Sequence, residues 1–192
     1  MKKYLFIAFA IFLTCSSNTF ASYVYSDTQG EYTITLPAPP QGETIWGDSK
    51  DVPYIDVKQY SGRIGSKATF KRKNFETGDF LNVEIITLAS DKSFIQSLNE
   101  EKLSALAEEQ YNKIKLLNLA IGFSEGGKNP VRKAVRLTGE LYDKNGDSTK
   151  HHLQIMTGID TLTALKISYS ADNPAFEKDY QNIIGSIKFI GK

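Results

Sequence analysis

Gly122-Phe123-Ser124-Glu125-Gly126 has the spacing Gly-x-Ser-x-Gly, which in hydrolases places a nucleophilic serine on a sharp turn from a strand into a helix. Such a serine needs a base, and the only histidines in the chain are His151 and His152. The local order is the reverse of what that chemistry requires. A helical pattern precedes Ser124, while Gly127, Pro130 and an alternating stretch follow it. A glycine-rich loop between helix and strand accounts for these residues, and a serine hydrolase using Ser124 stands only as an alternative.

His151 and His152 also raise metal binding, but neighbours on a strand point to opposite faces and cannot converge on one ion. One exposed and one half-buried ring is the expectation. Asp143, Asn145 and Asp147 have the first spacings of a calcium loop, yet Ser148 and Gln154 stand where that loop needs Gly and Glu. Lys144-Asn145-Gly146-Asp147 instead reads as a hairpin turn. No metal site and no cofactor is expected. Basic residues gather in two stretches, Arg63, Lys67, Lys71, Arg72 and Lys73, and then Arg132, Lys133 and Arg136. Brought together by the fold, they would form a binding patch for an acidic partner or surface; lysines that protect strand edges explain them equally well. Trp46, near Ile45 and Tyr54, is expected to cap one end of the core.

Residues 1–21 read as an address. Met1-Lys2-Lys3 is basic, Tyr4 to Leu13 is apolar but shorter than a bilayer span, and Thr19-Phe20-Ala21 ends in a small residue. The expectation is a secretory signal cleaved after Ala21 and a single domain over 22–192, in the periplasm or secreted. A lipoprotein anchored at Cys15 is the alternative, with Thr14 and Phe12 poor matches to that processing site, and only this form would associate with a membrane. Loss of Lys2 and Lys3 from the 23 basic residues leaves 21 against 22 acidic ones, about −1 in all. That balance gives no electrostatic footprint for nucleic acid. Cys15 is the only cysteine, so a chain cleaved after Ala21 has no disulfide and no thiolate ligand.

The elements that must position these residues follow from periodicity. Tyr32, Ile34 and Leu36 alternate on one strand, and Pro53 to Tyr60 and Ser66 to Phe75 are two more. Phe80 to Leu88 carries Leu81, Val83 and Ile85 on one side and Ile86 and Leu88 on the other, which predicts a central strand covered on both faces. Leu103, Leu106, Ala107, Tyr111, Ile114 and Leu117 share one stripe of a long helix from Ser93 to Asn118. Asn99, followed by Glu100 and Glu101, can instead split it in two. Val131 to Tyr142, Ser148 to Gly158 and Leu162 to Ser170 alternate again. A last helix is capped by Asn173-Pro174 and buries Phe176, Tyr180, Ile183, Ile184 and Ile187. The fold class is α+β, one antiparallel β-sheet flanked by helices.

Tyr25-Ser26-Asp27, the run Gly30 to Pro37, the strand Leu165 to Ser170, Asn173-Pro174-Ala175-Phe176 and Ile183 to Phe189 resemble the two ends of PsbP-like domains, the fold of an extrinsic photosystem II subunit. The resemblance implies an α/β/α sandwich and a mostly non-catalytic role in protein binding. The signal is of bacterial type rather than a plastid transit peptide. The expectation is therefore an exported, non-catalytic accessory or protein-binding domain of the bacterial cell envelope, its partner another envelope protein. A binder of a small molecule in a crevice between sheet and helix is a further alternative.

Overall fold

The computed structural model describes residues 22–26, 32–37, 54–59, 65–74, 77–111, 114–127 and 131–190. Its elements in chain order are β1 (Ser22–Ser26), β2 (Tyr32–Pro37), β3 (Tyr54–Gln59), β4 (Ser66–Lys73), β5 (Phe80–Ala89), α1 (Lys92–Ser97), α2 (Glu100–Tyr111), β6 (Leu117–Gly126), β7 (Arg132–Tyr142), β8 (Ser148–Thr157), β9 (Thr161–Ser170), α3 (Pro174–Gly185) and β10 (Lys188–Phe189). The architecture is α+β and antiparallel throughout. A seven-stranded sheet runs β3-β4-β5-β9-β8-β7-β6, and a separate three-stranded sheet runs β1-β2-β10. The expected single sheet is thus two, because the first strands pair with the end of the chain, Lys188 opposite Thr33 and Phe189 opposite Tyr32.

The two layers that cover the large sheet are offset. On one side, the small sheet and α3 lie over β4, β5 and β9, where Tyr32, Ile34, Phe70, Leu81, Val83, Ile85, Leu165, Ile167, Phe176 and Ile183 form one core. On the other, α2 lies over β7 and β8 with α1 against β9, and Leu98, Leu103, Ala107, Val135, Leu137 and Leu153 form a second. Directly paired residues of antiparallel strands share a face, so every register assigns its side chains to the α3 side or the α2 side. Thr87 ties the first core together: its hydroxyl lies 2.5 Å from that of Tyr32 and 3.2 Å from that of Thr163, so buried oxygens find partners there.

Three expectations change. The long helix ends at Tyr111, and residues from Leu117 onward are strand, because Leu117, Leu119, Ile121 and Phe123 continue the apolar pattern with period two and Gly122 disfavours helix. Of the two readings at Asn99 the split is the one found, α1 and α2 parting at Leu98-Asn99, where the Asn99 side chain accepts from the Lys102 amide at 3.0 Å. Among the described residues β5 is fully buried on one face only: Leu81, Val83, Ile85 and Thr87 are buried, whereas on the other face Ile86 is half-buried and Leu88 is 42% exposed, because α2 sits over β7 and β8 instead. α3 begins as expected, with the Asn173 side chain accepting from the amides of Ala175 and Phe176 at 3.1 and 3.3 Å. Ile184 and Leu106 are half-buried on the shoulders of their helices rather than in the cores.

Candidate functional site

Because the layers are offset, the α3 side of β8, β7 and β6 is a ledge. Its floor carries Lys150, His152 and Gln154 on β8, Arg136, Thr138 and Glu140 on β7, and Ala120, Gly122 and Ser124 on β6. Its wall is the edge of α3, with Glu177, Tyr180 and Gln181 one turn apart.

The corner between floor and wall is an aromatic and acidic cluster. The His152 ring stacks on Tyr180 with centroids 3.9 Å apart and lies 5.6 Å from Tyr169. Its Nε2 is 3.3 Å from the Tyr169 hydroxyl, which donates to Glu177 Oε2 at 2.5 Å. Lys150 Nζ donates to the same carboxylate oxygen at 3.1 Å, and Gln181 Nε2 donates to Oε1 at 2.9 Å. These donors hold Glu177 down to about pKa 2, the Tyr169 hydroxyl being the largest cause. Burial pushes His152 down to about 4, helped by the cations of Lys150 and Arg136 and opposed by Glu177. Burial and the Glu177 carboxylate raise Tyr169, and burial raises Tyr180. At neutral pH the corner therefore holds a neutral imidazole, two protonated phenols and one carboxylate fixed by three donors. Further out, Gln154 Oε1 accepts from Arg136 Nε and Nη2 at 3.2 and 2.9 Å, and Glu140 accepts from Tyr142 and Asn118.

Ser124 lies on this same face, but on a strand and away from both histidines. Two strands and four residues separate it from His152, roughly 16 Å at ordinary sheet spacings. His151 faces the other side, against Tyr111 at 5.9 Å between ring centroids. The expected glycine-rich loop is thus a strand, and it still lacks the strand-to-helix turn that exposes a nucleophile. The two histidines diverge as expected, but both are half-buried, because α2 and α3 each cover one of them. Asp143 serves its own turn, its Oδ1 accepting from the amides of Asn145 and Asp147 at 2.7 and 3.1 Å.

The two basic stretches do not meet. β4 and β7 have β5, β9 and β8 between them, about 19 Å at ordinary strand spacing. Lys67 pairs with Glu84 across the α2 side of the sheet, where the exposed Lys71 and Lys73 also lie. Arg72 points the other way, bonded to Asp179 of α3 at 2.6 Å. The Arg132 guanidinium lies 5.6 Å from the Phe189 ring, and Lys133 donates to the Leu98 carbonyl. Of the seven that are described, Arg136 alone is on the open part of the ledge. Arg63 and Trp46 lie outside the described residues. Tyr169, Glu177 and Tyr180 were not singled out in the sequence as site residues; the only signal was the spacing of Phe176, Glu177, Tyr180 and Gln181 along one helix edge.

No protein-family model matches the chain, and no curated protein does either. Among solved structures it is similar to cyanobacterial PsbP (CyanoP) from Synechocystis sp. PCC 6803, with TM-score 0.52 at 10% identity, over 91% of this chain and 96% of that one. The fold is PsbP-like. The similarity to PA94 of Pseudomonas aeruginosa, TM-score 0.37 at 12% identity over 89% of this chain and 99% of that one, is too slight to add to it. At such identities the PsbP-like fold is what is shared. Among the described residues, no helix is long and apolar enough to cross a membrane.

Proposed function

We propose that this chain is a non-catalytic, exported accessory domain of the bacterial cell envelope that binds another envelope protein along the ledge beside α3. The observation that carries this reading is the offset of the two layers, which among the described residues leaves the α3 side of β6 and β7 and the outer part of that side of β8 open and lined with polar groups held in place. The groups suited to catalysis are dispersed or already committed: Ser124 lies roughly 16 Å from His152, His152 is stacked and neutral, and Glu177 is saturated with donors. Fixed donors and acceptors beside an aromatic wall suit recognition, where pre-organised side chains lower the entropy lost on binding.

Affinity capture from envelope extracts tests it, run in parallel with Arg136→Ala/Gln154→Ala and with Lys71→Ala on the opposite face. A protein retained by the wild type and Lys71→Ala but lost from the ledge variant is the expected result. Capture that ignores the ledge substitutions would sink the reading.

A second reading, small-molecule binding, rests on a crevice of about 270 Å³ between α1 and the ends of β7 and β8, lined by Lys92, Ile95, Gln96, Lys133 and Thr157 among others. A thermal-shift screen tests it, since a ligand at 100 times its dissociation constant adds about 2.7 kcal/mol.

A further inference from the structure

β6 is an outermost strand of the large sheet, and among the described residues nothing pairs with its outer edge. A free edge presents alternate backbone N–H and C=O groups to solvent and is ordinarily blunted by lysine, proline or inward-pointing charge. β6 has none of these. Its ten residues, Leu117 to Gly126, contain one ionisable side chain, Glu125, and the single irregularity falls at the start, between Leu117 and Ala120. The opposite edge strand, β3, carries Asp56 and Lys58 within six residues.

Two further observations concern what the edge could meet. Leu119 and Ile121 are 54% and 43% exposed, and with Phe123 they form an apolar row on the α2 side. Gly122 is unexplained by the chain's own packing, because a Cβ there would meet nothing within 4 Å and its φ is not in the left-handed region. A glycine inside a strand weakens it, and one recurrent reason for it, beside a bulge or a tight bend, is the close approach of another backbone.

We propose that β6 pairs antiparallel with β6 of a second copy of this chain, about a two-fold axis at Ile121. The strand is complementary to itself in that register. Ile121 opposes Ile121, Leu119 opposes Phe123, and Ala120 opposes Gly122, so the apolar rows join on one face and small residues meet on the other. Glu125 falls beside the irregular start of the partner strand and far from the partner's Glu125, whereas parallel pairing in register would set Glu125 against Glu125. An isologous contact of this kind closes on itself and leaves no further free β6 edge. It joins two sheets of seven strands into one. The pairing is independent of the ledge reading, and its small area sets it at the weak end of specific interfaces, so a concentration-dependent dimer is expected.

Sedimentation velocity over a concentration series should show a monomer–dimer equilibrium, and Ile121→Lys, which opposes two ammonium groups at the axis, should abolish the dimer while circular dichroism and melting show it folded. Ile121→Glu alone should behave likewise, and mixing the two variants should restore association. In a Cys15→Ser background, Ile121→Cys should form a disulfide-linked dimer under mild oxidation, because only a residue on the axis meets its own copy at disulfide range. Glu125→Cys should not, its two copies being about 27 Å apart along the strands. A wild type that stays monomeric at the highest concentration, a dimer that survives Ile121→Lys, equal cross-linking at both positions, or preferential cross-linking of position 121 to a different protein would each overturn the proposal.

Discussion

His152 is held neutral because its ring is sandwiched against Tyr180 and Tyr169 where an imidazolium would be poorly solvated. The charges that face it are Lys150, Arg136 and Glu177, and the first two oppose protonation. Its folded pKa of about 4 lies below its ordinary 6.5, so the unfolded chain takes up the proton first. Stability is then complete above pH 6.5 and falls as the pH drops towards 4. Glu177, at about 2 against an ordinary 4.5, adds a second loss between those values, since its stabilising charge is removed there. Melting temperature should therefore fall on acidification from neutral pH, and His152→Phe, which keeps a stacked ring, should flatten the part between 6.5 and 4 while leaving the lower part. An unchanged slope in that variant would refute the assignment. The divergence of the two histidines was legible from strand geometry alone. The stack on Tyr180 was not, because it joins residues 28 positions apart that only the docking of α3 brings together. Ser124 follows the same logic: a fluorophosphonate probe should leave the folded protein unlabelled, and labelling lost in Ser124→Ala would make it a hydrolase.

At the scale of elements, alternation located the strands well wherever one face is buried, as in β2, β7 and β9, because burial and period then agree. It misplaced β6, whose edge position exposes nearly every side chain and removes the contrast between faces. The helix stripes were also legible, but not which stripe members reach the core. Leu103 and Ile183 are fully buried, whereas Leu106 and Ile184 pack from the side. Leu103→Ala and Ile183→Ala should each cost about 2–5 kcal/mol in denaturant unfolding, with Leu106→Ala and Ile184→Ala costing less. The reverse order would mean that the helix faces are rotated from those described. Asn173→Ala should cost about 1 kcal/mol, as it removes the acceptor for two amides at the start of α3.

For the molecule as a whole, the offset of two covering layers creates both the ledge and two cores that share one sheet but lie on its opposite sides. No local pattern carries that offset: it depends on which strands neighbour each other, and β5 sits beside β9 although 71 residues separate the two strands' ends. It has a thermodynamic consequence. Leu103 points from α2 onto one side of the sheet and Ile183 from α3 onto the other, so the layers put the two helices about 20 Å apart, with the sheet between. Truncations at sites with no shared neighbours add within about 0.5 kcal/mol, whereas residues within one core couple more strongly. The double variant Leu103→Ala/Ile183→Ala should therefore lose the sum of the two single losses to that margin. Phe176→Ala combined with Ile183→Ala, both inside the core beneath α3, should depart from additivity by more. Denaturant unfolding of the three single variants and the two pairs measures this directly, and coupling across the sheet as large as coupling within one core would mean that the cores are continuous.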